Sequence, residues 1–348
     1  MSAGPVSETP GLPLDTGEEE EGVGGADDVG AAPELRALTI PEALHQQRLD
    51  KALAQLVPEF SRSYLQQLLV QGAVQVQGRP ALKPAARVHA GDCIDIELRP
   101  TLQSQAFRPE NLPLDVVHED EHLLVVNKPA GLVVHPAPGN WSGTLLNALL
   151  GRDARAAQVP RAGIVHRLDK DTSGLMVVAR SRAAMDALVQ MIAARQVSRQ
   201  YLALAWGAWR GPTQQSVQAA IGRDPRNRLR MAAVDLAQHP GKPARTDFEL
   251  LAGNEQVSLV RCTLHTGRTH QIRVHMASLR HPLVADALYG GSAGGGLQRQ
   301  ALHAFRLAFV HPMTGQALTL RAALPPDMGQ ALAAWGLDAS AYNRAFAA

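Results

Sequence analysis

The sequence predicts an α+β fold built in two unequal units. Strand-like apolar runs at Leu123 to Val126, Leu175 to Ala179, Tyr201 to Trp206 and Val257 to Leu264 are separated by helices and long loops, without regular β-α alternation. A shorter segment ahead of them reads helix, helix, strand, strand. The length of 348 residues and the 45% hydrophobic content allow about two domains with real cores.

The elements follow in chain order. Residues 1–36 hold nine acids, including the run Glu18 to Glu21, against the single base Arg36. They carry almost no large apolar residues, so burial cannot offset chain entropy and a disordered acidic tail is expected. Residues 37–99 form the small domain. Arg48-Leu49-Asp50-Lys51-Ala52-Leu53 opens an apolar-periodic helix, and Ser61 is the expected N-cap of a second, Ser63 to Val70, that stops at Gly72. Ala73 to Gln77 alternates as a strand that Gly78 turns; Gly91-Asp92 and Ile94-Asp95-Ile96 give a further turn and strand. Residues 100–114, with Pro100, Pro109 and Pro113, read as a linker. The large domain, 115–340, contains the four apolar strands. It also contains a helix from Ser181 to Arg195 capped by Ser181, and another N-capped by Thr269 that runs to Leu279. Gly290 to Gly296 reads as a flexible loop, and no internal repeat is evident.

Charge points toward a polyanion. The whole chain is only +2, but beyond residue 36 there remain 33 of the 34 bases and 23 of the 32 acids, a net of +10. A basic body suits a partner such as RNA, although many soluble domains are mildly basic. No apolar run approaches the roughly 20 residues needed to cross a bilayer. The opening MSAGPVSETP lacks the basic and apolar regions of a secretory leader. Cys93 and Cys262, far apart and each in a strand-like segment, read as reduced thiols of a cytoplasmic protein. His265, His270 and His275 invite a metal reading. Five-residue spacing, however, turns a helix by about 500°, so His270 and His275 do not share a face and no metal site is expected.

The densest chemistry lies in His166-Arg167-Leu168-Asp169-Lys170-Asp171-Thr172-Ser173-Gly174-Leu175. Two carboxylates, two cations and an imidazole precede small turn-forming residues and then a buried strand. On local composition alone, a functional loop and a solvated, self-paired charge cluster fit equally. The string resembles the H-R-L-D-x-x-T-S-G signature of the RluA-type RNA pseudouridine synthases, with every fixed position present. Further blocks match in order. They are Asn127-Lys128-Pro129-Ala130-Gly131 with Val134-His135-Pro136, then Arg199-Gln200-Tyr201-Leu202-Ala203, then Gly267 to His275, and lastly His281 to Gly290. In the last block Ala285 stands where the family usually has Gly. That implies either a backbone without positive φ or one that tolerates a small Cβ. Residues 37–99 resemble an S4 RNA-binding domain through R-L-D-x-x-L from Arg48, S-R-S from Ser61, V-x-V-x-G from Val74 and Lys83-Pro84. The resemblance covers about residues 38 to 325.

The resemblance implies a mixed, largely antiparallel sheet crossed by an RNA cleft and preceded by the small αα-β S4 domain. It implies isomerisation of uridine to pseudouridine: the N1–C1′ bond breaks, the base turns, and C5 rejoins the sugar. Nothing is oxidised, so no cofactor is expected. One carboxylate must act at the sugar, either attacking C1′ or taking a C2′ proton, and the resemblance assigns that role to Asp169. Asp171 is the rival by position, otherwise a cap or ion-pair partner. Arg167 is expected to enter the stack vacated by a flipped uridine. A lone strand tyrosine is usually core, but in this pattern Tyr201 stacks on the target base. Arg273 is the expected partner that keeps Asp169 ionised and aimed; Arg268 is the alternative partner, otherwise a phosphate contact. His166 and Lys128 complete the substrate-binding set in the large domain. Arg48, Lys51, Arg62 and Arg79 supply phosphate contacts in the small one, unless they merely solubilise it. The nearest subfamily acts on large-subunit ribosomal RNA or its assembly intermediates, with the helix 69 stem-loop uridines implied as targets and a monomer as the working form. Two rivals stand beside this reading. One is a non-catalytic RNA-binding assembly factor, opposed by the intact Asp169, Tyr201 and Arg273 set. The other is a hydrolase using His166 and Asp169, opposed by the lack of a nucleophile elbow.

Overall fold

The computed structural model describes residues 34–98, 106–137, 139–227 and 229–337. The chain divides between residues 105 and 106 into two compact units.

The N-terminal unit is a four-stranded antiparallel sheet carrying two helices. Its elements are β1 (Glu34–Thr39), α1 (Leu49–Leu56), α2 (Arg62–Val70), β2 (Val74–Val76), β3 (Arg79–Pro80) and β4 (Cys93–Leu98), with sheet order β1-β4-β2-β3. Alternation places Ile94, Ile96 and Leu98 of β4 inward against Leu49, Leu53, Leu65 and Leu69 of the helices. Ser61 caps α2 by accepting from the Tyr64 amide. Strand β1 is a correction. Glu34 to Arg36 were assigned to the tail, yet they pair with Leu98 to Ile96 of β4. The strand shows no buried alternation, and Leu35 is 77% exposed. It is an edge strand held by main-chain pairing, which leaves no hydrophobic signal. The rest of the predicted tail, residues 1–33, and residues 100–105 of the predicted linker lie outside the described residues.

At the centre of this unit the Asp50 carboxylate is fully buried. Arg48 donates to it through Nε and Nη2 (both 3.1 Å), Arg62 through Nε (3.1 Å) and Nη2 (2.6 Å), and Gln66 through Nε2 (2.6 Å). Two guanidiniums expected to face phosphates therefore brace the junction of α1 and α2 as well. Both remain partly exposed, whereas Lys51 and Arg79 are exposed without such a partner.

The larger unit is built on one nine-stranded sheet. In chain order its elements are β5 (Val116–Glu119), β6 (Leu123–Lys128), α3 (Leu145–Arg152), β7 (Ser173–Ala179), α4 (Arg182–Ala193), β8 (Ser198–Trp206), β9 (Gln214–Gln218), β10 (Ile221–Arg223), β11 (Met231–Ala233), β12 (Arg245–Gly253), β13 (Val257–Leu264), α5 (Gln271–Ser278), β14 (Leu302–Val310), β15 (Ala317–Arg321) and α6 (Pro326–Ala334). The sheet order is β5-β6-β7-β14-β8-β13-β12-β9, with β15 also on β14, while β10 and β11 form a separate hairpin. All neighbours in the large sheet are antiparallel except β7 and β14. Both faces are covered, which explains the continuous apolar runs. Leu124, Val126, Met176, Val178, Ala203 and Val260 pack with α3 and α5; Leu123, Val125, Leu175 and Val177 face α4; Leu202, Leu204, Leu259 and Phe305 face α6.

Three expectations about loops change. Residues 106–114 are not a free connector: Asn147 Nδ2 donates to the carbonyls of Ala106 (3.0 Å) and Arg108 (2.9 Å), and the backbone of Glu110 lies against Gly151 of α3. The glycine-rich stretch 290–296 is not uniformly loose: Gly291, Gly294 and Gly295 are close-packed, while Gly290 and Gly296 have open space beside them. A Cβ on Gly294 would stand 2.7 Å from the Trp206 ring, and one on Gly295 2.6 Å from the Trp335 ring. Glycine is there for close approach as much as for freedom. Ala285 adopts φ +60°, so the left-handed backbone is required after all and a small Cβ is tolerated in it.

Asp50 yields a stability prediction. Burial pushes its carboxyl up, but the hydrogen bonds from Arg48, Arg62 and Gln66 outweigh this and hold it well below its ordinary value. The ionised form therefore stabilises the fold above about pH 4, and that contribution is lost as pH falls through the lower folded value. Asp50→Asn should cost about 1–3 kcal/mol at neutral pH and flatten the acid limb of stability, as read by urea unfolding across pH.

Candidate active site

The catalytic-type carboxylate sits on a loop that the fold grips from several sides. The chain from Ile164 to Thr172 feeds directly into β7, all of whose residues are buried. Leu168 is sunk in the core, and Thr172 N donates to Asp169 O (3.1 Å) to close a turn. Gly174 has φ +116° and a Cβ there would meet the Ala304 carbonyl at 2.3 Å, so only glycine lets β7 and β14 run side by side. Arg299 donates from Nη1 to the Asp171 carbonyl (3.0 Å) and is itself forked onto Asp327 at 2.7 and 3.0 Å.

Lys128 was expected to contact substrate. Instead it is buried beneath the loop, where its ammonium donates to the carbonyls of Pro129 (2.9 Å), Leu132 (2.8 Å) and Lys170 (2.8 Å). Burial lowers its pKa to about 7, against the pull of Asp169 and Asp171. Its role is to tie β6 to the loop. His166 is also largely structural. Its Nε2 accepts from the Val177 amide (3.1 Å), and burial depresses its pKa to about 3, so the ring is neutral. Asp171 is neither cap nor ion-pair partner. Its carbonyl is used, and its carboxylate bonds to nothing among the described residues.

Asp169 lines a cavity of about 400 Å³ together with His166, Arg167, Tyr201, Arg268, His270 and Arg273. Arg48, Lys51 and Arg62 belong to the other unit, and Lys128 lies outside the lining. Arg273, on α5, donates from Nη1 to Asp169 Oδ2 at 3.1 Å. The opposite side of the same guanidinium forks onto Asp286 (2.8 and 2.9 Å), and its Cζ lies 5.0 Å from the centre of the Tyr289 ring. Tyr289 Oη in turn meets His270 Nδ1 at 2.8 Å, and His270 Nε2 is 4.0 Å from Asp169. Burial pushes the Asp169 carboxyl up, but His270, Arg273 and Arg167 outweigh it and hold the group below its ordinary value. The carboxylate is thus ionised and aimed at neutral pH.

Asp286, Tyr289 and His270 carry weight that sequence reading did not assign. All three lie in the quoted blocks 267–275 and 281–290, so their presence was visible and their partnership was not. Helix α5 begins differently from expectation. His270, with φ +54°, is the residue before the first turn, and Thr269 does not cap it. The left-handed turn carries His270 to the cavity wall. The three histidines 265, 270 and 275 engage Asp247, Tyr289 and Thr246 respectively, so they face three different places.

On β8, strand alternation puts Arg199, Tyr201 and Ala203 on one face. Tyr201 is 5% exposed, and burial with the nearby Asp169 charge raises its pKa to about 12, so the phenol is protonated. Arg167 is exposed at the cavity rim, and Arg268 donates to the Pro243 carbonyl (3.3 Å).

Comparison with known proteins gives a consistent set. The RNA pseudouridylate synthase family model matches residues 122–278, and the S4 domain model matches residues 47–94. The chain is 46% identical over 324 residues to the ribosomal large subunit pseudouridine synthase D of Neisseria meningitidis serogroup B, covering 88% of this chain and 84% of that one. It is 47% identical over 320 residues to the protein of the same name from Xylella fastidiosa, covering 88% and 94%. Among solved structures, the human RNA pseudouridylate synthase domain containing 1 aligns with a TM-score of 0.52 at 29% identity, over 65% of this chain and 89% of that one.

The Arg273 pairing makes a pH prediction. In Arg273→Met the burial of Asp169 is less opposed, so its carboxyl rises and the acid limb of the single-turnover rate moves to higher pH. In the wild type that limb should stay below about pH 4. A pH–rate profile of the two proteins checks the direction.

Proposed function

Since this chain belongs to the RNA pseudouridylate synthase family, and so is an isomerase acting on RNA with an S4 domain, we propose that its substrate is large-subunit ribosomal RNA and that Asp169 is its catalytic carboxylate. The observation that carries the reading is the ionised Asp169, held by Arg273 in a cavity that Tyr201 and Arg167 also line. The reaction is balanced without a co-reactant. The N1–C1′ bond breaks with its electron pair on the base. The sugar is stabilised either by a C1′–O bond to Asp169 or by transfer of a C2′ proton to it. The base turns, C5 joins C1′, the C5 proton is lost and N1 gains one.

Each remaining residue has a place in this scheme. Arg167, exposed at the rim, fills the stack that the target uridine vacates. Tyr201 provides a buried aromatic face for the base. Arg268 contacts phosphate at the mouth. Lys51 and Arg79, with the exposed parts of Arg48 and Arg62, give the S4 domain its backbone grip and orient the RNA without reading its sequence. The names of the most similar relatives, at 46–47% identity, favour ribosomal RNA of the large subunit, and the helix 69 stem-loop uridines are the proposed targets. The enzyme acts in the cytoplasm as a monomer, on the large-subunit RNA or its assembly intermediate.

The deciding experiment is release of C5 tritium from labelled large-subunit ribosomal RNA, followed by mapping of the modified sites. Wild type should release label at helix 69. Asp169→Asn should release none in a single turnover while still binding RNA. Arg167→Ala should lose about 10- to 100-fold on structured RNA, matching the few kcal/mol of unstacking, and much less on unstructured RNA. Product from Asp169→Asn would remove the catalytic assignment. Label released elsewhere would replace the target.

A further inference from the structure

The cavity contains a cation with no counterpart. Arg199 is 7% exposed, yet its guanidinium makes no hydrogen bond or ion pair to any described residue, and its Nε is fully enclosed. Every other buried cation of this region is accounted for: Arg273 by Asp286 and Asp169, Lys128 by three carbonyls. A buried guanidinium without an anion is costly, and a fold keeps one where a ligand completes it. Arg199 lines the same cavity as Asp169 and Tyr201, and it lies one strand repeat from Tyr201 on the same face, about 7 Å along the strand. Its fork lies against the 266–269 loop, where a Cβ on Gly267 would stand 2.8 Å from Nη1. A second enclosed donor accompanies it. His166 Nε2 accepts from Val177, so the proton is on Nδ1, and Nδ1 has no partner among the described residues.

Building on the reading of the site as a pseudouridine synthase, we propose that Arg199 is a catalytic residue that binds the carbonyl oxygens of the target uracil and stabilises the uracil anion released when N1–C1′ breaks. The geometry favours the base over a phosphate. Asp169 works at the sugar end, Tyr201 faces the ring, and Arg199 lies farther along the strand, where the edge of the base remote from the sugar would sit. Breaking N1–C1′ leaves the bonding pair on the base, spread over N1, O2 and O4. A fixed fork in a closed cavity stabilises that charge without reorganising. The symmetry of the base adds to the argument. Turning uracil about its C6–N3 axis exchanges N1 with C5 and O4 with O2. A donor fork that held one carbonyl before the turn therefore holds the other after it, and the detached anion stays anchored throughout.

The test is single-turnover formation of pseudouridine in an RNA that wild type modifies. If wild type modifies no RNA, the functional reading itself fails and this one is not reached. Given an active wild type, Arg199→Met should slow the chemical step by about 10²- to 10³-fold, the scale for removal of one oxyanion donor, with RNA affinity retained. Arg199→Lys should recover part of the rate. Gly267→Ala, which displaces the fork while leaving Arg199 present, should slow the step in the same direction. The defect of Arg199→Met, read here as loss of the N1–C1′ glycoside, should shrink when the target is 5-fluorouridine, whose departing anion is intrinsically more stable and whose C5 carries fluorine in place of the proton that pseudouridine formation releases. A defect that appears in affinity, or one abolished by a methylphosphonate next to the target, would assign Arg199 to a backbone phosphate and overturn the proposal. So would an unchanged chemical step in Arg199→Met.

Discussion

The site depends on one shared guanidinium. Arg273 lies between two carboxylates, Asp286 on one side and Asp169 on the other, with the Tyr289 ring beneath it. The two bonds to Asp286 fix the plane of the fork, and the third donor is then directed at Asp169 by geometry alone. A carboxylate pushed into a cavity would ordinarily take up a proton, and here His270, Arg273 and Arg167 together make the ionised state the stable one. The apparent excess of one negative charge in the pair of acids is relieved by His270 and Arg167 at the cavity wall. The left-handed backbone at His270 and Ala285 serves this arrangement by setting the entry of α5 and the approach to Asp286.

The loop that carries Asp169 is held by a different kind of interaction, main-chain carbonyls taken up by largely buried cations. Lys128 takes Lys170, and Arg299 takes Asp171. These bonds restrain the two carbonyls that follow Asp169 within its turn, so the carboxylate is presented from a rigid frame rather than from a mobile loop. The cost is that Lys128, expected at first sight to meet substrate, is spent on position, as happens again in the N-terminal unit where Arg48 and Arg62 close on Asp50.

How far the sequence reaches follows from these contacts. Strands with residues buried on both faces, such as Leu123 to Val126 and Tyr201 to Trp206, announce themselves as apolar runs, and Ser61 and Ser181 announce their helices as caps. Strand β1 is silent because pairing, not burial, holds it. The loop 290–296 misleads because glycine signals freedom in sequence and here serves contact with two tryptophans. Asp169, Tyr201 and Arg273 are spread along 104 positions of the chain, and their convergence on one cavity comes from strand order, which local pattern does not encode. Which cations are consumed by carbonyls and which, like Arg199, have no partner among the described residues is likewise a property of the packed structure.

The Arg299–Asp327 clamp bears on when during synthesis the site is completed. The parallel pairing of β7 with β14 and the grip on the Asp171 carbonyl both come from residues more than 120 positions downstream of the loop. A chain emerging from the ribosome presents Asp169 long before β14 exists to support it. Until translation has passed Asp327, the loop lacks its outer brace and the unfinished protein has no assembled site. The frame around Asp169 is thus closed by late-made residues, after the strands that flank the loop have already been formed.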